Sequence, residues 1–347
     1  MLLGYRWSVF GRLVATENAL RAAHAWPLRF SVEVLRAVLL RASENALARR
    51  AVTNWPVPRR IALRFVAGDT LADGIRAARA LAGAGKSATL DYLGERVTSS
   101  TQARTAAEVY LEVLGRIGAE DQEMGGKPPG PLDCGVSVKP TQMGLHVDAG
   151  LARDLIAEIT AAAEEIGAHV TLDMEGSDVT EATVGLVERL RAAGHTGIGC
   201  ALQAYLRRTR DDLERLCRIG ASVRLCKGAY AEPPRLAFQT RAEVDESYAA
   251  CAELLLRHGT YPRIATHDYA QIAHVQDLAT RLGLPRDAFE FQMLYGVRPA
   301  LQDELVRDGY RVRVYVPFGE QWYPYFMRRL AERPANLAFF LRALRGD

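Results

Sequence analysis

The feature that most constrains the fold of this chain is an alternation that begins near residue 87. Eight short apolar runs, at 89–93, 134–139, 169–173, 198–203, 222–225, 263–266, 289–293 and 311–316, are separated by longer amphipathic stretches. Among the latter, 151–166, 179–190, 211–219 and 249–256 carry apolar residues at helical spacing. Strands alternating with helices imply a parallel sheet, because each parallel crossover needs a long connection. Runs such as VSV, VTL and VRL suit strands covered on both faces. Eight such units over about 250 residues are what a closed (β/α)8 barrel of TIM type requires. A doubly wound open sheet is the rival that counting alone leaves standing. Asp148, Thr209 and Asp268 are the predicted helix N-caps.

The polar residues favour the barrel. The runs end in Gly94-Glu95, Lys139-Pro140-Thr141, Asp173-Met174-Glu175-Gly176, Gln203-Ala204-Tyr205, Lys227-Gly228-Ala229-Tyr230, Thr266-His267-Asp268, Gln292-Met293-Leu294 and Pro317-Phe318-Gly319. All lie on the C-terminal side of a strand, where barrel enzymes assemble their active sites. The preceding residues, 1–86, form a predicted N-terminal helical arm, with Val32, Leu35, Val38 and Leu39 at helical spacing and a turn at Trp55-Pro56-Val57-Pro58. Residues 87–347 are then the barrel with its C-terminal helices.

Composition narrows the class. A hydrophobic fraction of 49% in 347 residues excludes a disordered chain, and a formal charge of +3 argues against a dedicated nucleic-acid binder. The five cysteines are odd in number and lack a C-x-x-C pair, so neither a disulfide framework nor a structural zinc site is expected, and the expected location is cytoplasmic. No H-x-H or H-E-x-x-H occurs, and no metal is expected. The first residues lack a signal peptide's apolar stretch, and no run of roughly 18 apolar residues occurs. The amphipathic arm leaves peripheral contact with the inner face of a membrane open, although covering the barrel is its commoner role.

Individual motifs separate into bland and informative. Gly83-Ala84-Gly85-Lys86-Ser87 mimics a phosphate loop, but Ala80 stands where that pattern needs glycine, and the order runs from helix to strand. Forty of the 44 basic residues are arginine, and of the four lysines two, Lys139 and Lys227, end predicted strands. A buried strand-end lysine suits a Schiff-base aldolase, and its bland reading is a structural ion pair with Asp173 or Glu175. Tyr325, Arg328, Arg329 and Glu332 fall at i, i+3, i+4 and i+7 of a predicted helix beyond the eighth strand, where two guanidinium forks would suit a carboxylate or phosphate. His267 ends the sixth strand as a candidate substrate or cofactor contact.

Read in order, these strand ends resemble the proline dehydrogenase family, bacterial and monofunctional in form. The matching segments are YLGE at 92–95, VSVK at 136–139, TLDMEG at 171–176, ALQAYLRRT at 201–209, VRLCKGAY at 223–230, ATHD at 265–268, EFQMLYG at 290–296 and YVPFGEQWYPYFMRRLAERPAN at 315–336. The resemblance implies an FAD-dependent barrel that oxidises L-proline to Δ1-pyrroline-5-carboxylate by hydride transfer to flavin N5, then passes the electrons to a quinone. It implies that Arg328, Arg329 and Lys139 hold the proline carboxylate and that Asp173 pairs with Lys139. Tyr315, Tyr325 and Leu294 would wall the ring, and Glu332 would fix an arginine. Arg224 would lie near N5, Met174 and Gln203 against the isoalloxazine, and Lys227, Gly228, Ala229, Thr266 and His267 along the rest of the cofactor. No general base for the prolyl nitrogen is assigned. A lyase or a non-catalytic ligand-binding barrel are the competing classes; the resemblance gives Lys139 a role without an imine.

Overall fold

The computed structural model describes residues 62–94, 97–124 and 132–332, apart from the side chains of 121–124 and 328–332. Contacts divide the chain into two compact units: Arg60–Trp322, which holds the sheet, and Met1–Arg59 with Tyr323–Asp347. In the first, α1 (Leu71–Gly83) precedes β1 (Ser87–Tyr92), α2 (Ser100–Met124), β2 (Cys134–Val138), α3 (Ala149–Glu165), β3 (Val170–Leu172), α4 (Ser177–Ala192) and β4 (Ile198–Gln203). There follow α5 (Thr209–Arg218), β5 (Ser222–Cys226), α6 (Arg241–His258), β6 (Arg263–Ala265), α7 (Tyr269–Arg281), β7 (Glu290–Leu294), α8 (Pro299–Arg307) and β8 (Arg311–Phe318). The strands close in sequence order, and β8 pairs back onto β1 in parallel. The chain is therefore a (β/α)8 barrel, and the open sheet is excluded.

Alternation along the strands decides what the barrel contains. Leu90, Val136, Val138, Leu172, Val223, Ile264 and Val314 are fully buried in the apolar layer shared with the helices. The intervening positions, Thr89, Asp91, Ser137, Thr171, Arg224, Arg263, Glu290 and Arg313, are equally buried but polar. Contacts across the barrel place them inside: Arg263 on β6 donates to Thr171 Oγ1 on β3 at 3.0 Å, and Arg224 on β5 to Ser137 Oγ on β2 at 3.1 Å. The interior is thus built of charge and hydrogen bonds, and the hydrophobic core is the sleeve around it.

Two of the three predicted caps hold. Asp148 accepts from the amides of Gly150 and Leu151 at 2.8 and 3.0 Å, and Asp268 from Ala270 at 3.1 Å. Thr209 does not cap α5: Arg208 occupies the N-cap, and the Thr209 hydroxyl, already inside the helix, donates to the Gln203 carbonyl at 2.5 Å instead of accepting from a first-turn amide. The glycine-rich segment at 83–87 joins α1 to β1, with Gly85 at φ +70° and Lys86 paired to Asp303 at 2.5 Å. Of the predicted arm, residues 1–61 lie outside the described residues; α1, near its end, packs on β1 and β8. In the second unit the described residues belong to α9 (Trp322–Glu332).

Candidate active site

Asp173, one residue beyond β3, is the hub of the barrel mouth. Its Oδ1 accepts from Ser137 Oγ at 2.5 Å and from Arg224 Nη2. Its Oδ2 accepts from Tyr315 Oη at 2.8 Å and stands 3.2 Å from Lys139 Nζ. Lys139 also donates to Asp91 Oδ1. These residues meet because the register aligns Asp91 with Ser137 and Val138 with Leu172, which sets Lys139 and Asp173 side by side just past their strands. The Arg224 guanidinium carbon lies 5.3 Å from the Tyr315 ring centroid, and Tyr110 on α2 donates to the Ser137 carbonyl at 2.9 Å.

Two carboxylates thus share one ammonium and one guanidinium. Burial alone would raise the pKa of Asp173, but Lys139 and Arg224 override it and hold the carboxyl below its usual range. Burial raises Asp91, which Lys139 only partly opposes and the Asp173 charge reinforces. Lys139 responds in kind: burial would lower it, yet Asp91 and Asp173 raise it, so it stays an ammonium. That charge argues against a Schiff-base lysine, which must lose its proton to attack. Arg224 retains one unused edge, since its buried Nη1 has no hydrogen-bond partner among the described residues.

Around this centre the strand-end loops are tied together. Glu175 accepts from the Thr141 amide and hydroxyl at 3.1 and 2.7 Å, and its carbonyl accepts from Gln203 Nε2 at 2.8 Å, while Met174 is buried. His267 Nε2 accepts from the Leu294 amide at 2.9 Å, so that nitrogen is committed to the end of β7. Thr266 Oγ1 accepts from the Asp268 amide at 3.0 Å. Lys227 pairs with Asp245 and, at 2.8 Å, with Asp268, which also spends its charge. Gly228, at φ +109°, and Ala229 are exposed; a Cβ on Gly228 would meet the Tyr205 ring at 2.1 Å.

The sequence-derived residues therefore divide. Lys139, Asp173, Arg224 and Tyr315 are brought into one cluster. Gln203 and Leu294 end β4 and β7, and Met174, Lys227, Gly228, Ala229, Thr266 and His267 lie on the loops after β3, β5 and β6, all at the barrel mouth. Tyr325 is a buried residue of α9, and Arg328, Arg329 and Glu332 continue that helix with side chains outside the described residues. Asp91 and Ser137 escaped the sequence reading. Their signal was present as polar residues at every second position inside apolar runs.

Below the mouth lies a second charged layer. Glu290 accepts from Arg313 Nε at 2.9 and 3.1 Å, pairs with Arg263 at 3.6 Å, and accepts from Gln292 at 2.5 Å and Tyr261 at 3.2 Å. Arg313 also reaches Asp133 at 2.8 Å. Burial and the neighbouring Arg313 and Arg224, only partly answered by Glu290, push Arg263 down to about 10.

A parallel (β/α)8 barrel whose strand ends gather paired carboxylates and cations defines a barrel enzyme of the kind that works at its C-terminal mouth. The family model for proline dehydrogenase matches residues 74–342. Proline dehydrogenase 2 of Bacillus subtilis is 37% identical over 311 residues, 90% of this chain and 99% of its own length. The proline dehydrogenase of Deinococcus radiodurans is 37% identical over 86% of this chain and 92% of its own. Proline utilization A from Bdellovibrio bacteriovorus, solved after inactivation by N-propargylglycine, superimposes with a TM-score of 0.75 at 25% identity over 88% of this chain; the chain spans 37% of that longer protein. The chain belongs to the proline dehydrogenase family.

Proposed function

We propose that this chain oxidises L-proline to Δ1-pyrroline-5-carboxylate with FAD as its cofactor and delivers the electrons to a quinone. Family membership makes it a proline dehydrogenase, the first enzyme of proline catabolism. The observation that carries the finer reading is Arg224, a buried, permanently charged guanidinium with one edge left unpaired at the mouth. An orphaned buried donor is costly unless a ligand uses it, and an electron-rich ring edge is a suitable acceptor. The donor set fits a flavin in this respect. When bound, FAD supplies the redox chemistry by accepting two electrons and a proton from the substrate.

The protein's own part is binding and orientation. Lys139 keeps one N–H beyond those turned to Asp91 and Asp173, which it would offer to the proline carboxylate; Arg328 and Arg329 would supply the carboxylate's other contacts. Tyr315, Tyr325 and Leu294 would wall the ring and exclude water, which would strengthen those charge contacts, and Glu332 would fix an arginine of α9. Asp173 fixes Arg224 and Tyr315 at once, so both present one geometry. Met174 and Gln203 would hold the flavin ring, and Lys227, Gly228, Ala229, Thr266 and His267 the rest of the cofactor. In this reading residues 1–86 would serve as a helical arm and 87–347 as the barrel with its C-terminal helices, in a cytoplasmic enzyme open to peripheral contact with the inner face of the membrane. Among the described residues no helix is long and apolar enough to cross a membrane.

Purified, flavin-loaded protein is expected to be yellow and to bleach on anaerobic addition of L-proline; persistence of the oxidised spectrum would sink the proposal. Arg328→Ala is expected to raise the KM for proline about tenfold or more, as for a lost charge-assisted contact, while flavin stays bound. Gly228→Ala acts on the other ligand. Its φ of +109° is open to glycine alone and its Cβ would enter Tyr205, so the loop must shift. A reduced flavin-to-protein ratio at unchanged helicity is the expected result, and full occupancy would remove the loop from the cofactor site.

A further inference from the structure

Asp91 is the buried ionisable group of the mouth whose chemistry the proposed function leaves unused. Its side chain is 1% exposed on β1. The groups that face it come from four other elements: Lys139 after β2, Asp173 after β3, Tyr315 on β8 and Tyr110 on α2. Lys139 donates to its carboxylate, while the single Tyr315 hydroxyl proton goes to Asp173. Asp173, by contrast, is served by Ser137, Arg224, Tyr315 and Lys139. An ammonium has three N–H groups, and two of those on Lys139 are directed at Asp91 and Asp173. A substrate carboxylate that takes the third becomes the third anion around one ammonium. Carboxylates so crowded do not all stay ionised, and the one with fewest donors and least water takes the proton.

We infer that Asp91 is a proton-accepting positioning residue: it holds Lys139 between two carboxylates in the free enzyme and takes up one proton when the substrate carboxylate binds. This rests on the proline reading above. No electrons move in the step. A proton passes to an Asp91 oxygen, Lys139 keeps its charge, and its pull is released toward the substrate. Proline arrives with a protonated ring nitrogen, so the proton can be the substrate's own. The nitrogen is then left with the lone pair that oxidation at the adjacent carbon requires. Burial, with the Asp173 charge, already holds Asp91 above the ordinary carboxylate range, in the direction this needs.

The test uses tetrahydrofuran-2-carboxylate, which shares proline's ring and carboxylate but carries no nitrogen proton. Titrated into flavin-loaded enzyme by calorimetry, in two buffers of different protonation enthalpy, it is expected to bind with net proton uptake. Its affinity should fall with rising pH by up to roughly tenfold per unit. In Asp91→Asn the uptake should vanish and the affinity become flat with pH. Equal uptake in both proteins, or none in the wild type, overturns the inference. Should Asp91→Asn fail to fold, the wild type decides alone, since an affinity constant between pH 6 and 9 has the same force. Failure of the proline reading looks different: wild-type enzyme would neither bind this acid nor bleach with proline.

Discussion

Asp173→Ala is expected to lower kcat/KM for proline by about a hundredfold or more, the penalty typical of misplaced reacting groups, and to destabilise the fold as well. Four partners lose their anchor together: Ser137, Arg224, Tyr315 and Lys139. Breaking a buried pair by removing one member costs roughly 3–5 kcal/mol, because the surviving charge stays in a poor solvent. The Asp173 side chain is 13% exposed and that of Arg224 6%, so water offers little relief. Steady-state kinetics and thermal unfolding are the paired measurements. Asp173→Asn keeps the shape and removes the charge, and it should recover stability more than activity. The pH sign follows from the same pairing. Asp173 titrates below its usual range when folded, so its stabilising contribution is complete above the unfolded value of about 3.9 and is lost as pH falls through the folded one. A stability curve for Asp173→Asn that drops as steeply in acid as the wild type would place the acid sensitivity elsewhere.

The architecture was legible because burial on both faces leaves a strong signal. All eight strands fall within a few residues of the apolar runs, and β4 matches its run at Ile198–Gln203. Lys139 and Asp173 were legible for a related reason: a charge at the end of an apolar strand stands out. Asp91 did not stand out, because a single carboxylate between Leu90 and Tyr92 looks like noise in a run judged by average hydropathy. Strict period-two counting would have paired it with Thr89 as an inward row. Its partner was beyond reach even then. That Asp91 meets Lys139, and that Arg224 crosses from β5 to Asp173 after β3, depends on the stagger of strands around the closed barrel, which no local pattern encodes. Thr209 failed in the opposite direction. Its local pattern was that of a cap, and a tertiary acceptor, the Gln203 carbonyl, took its hydroxyl.

Charge inside this barrel is separated by depth, and Glu290→Ala is the substitution that exposes the division. It strips the lower layer of the carboxylate shared by Arg313 and Arg263, both almost fully buried. Arg313 keeps Asp133, but Arg263 keeps only its hydrogen bond to Thr171, and its Nε already lacks a hydrogen-bond partner among the described residues. A loss of roughly 3–5 kcal/mol is expected, read as a lower midpoint in denaturant at unchanged slope. Burial would raise Glu290, but Arg313 and Arg263 hold it below the usual range, so its contribution is full above about pH 4.3 and fades as pH falls through the folded value. Glu290→Gln should therefore narrow its stability deficit in acid, where the wild-type carboxylate is itself protonated. The discriminating measurement is turnover per folded molecule. The hydrogen bonds of Asp173 run to Ser137, Arg224 and Tyr315 and none to the lower layer, so the KM for proline should hold within about threefold, the scatter normal for such effects. A KM that rises as far as in Arg328→Ala would mean that the two layers are one mechanical unit, and that Arg263 transmits its position to Arg224.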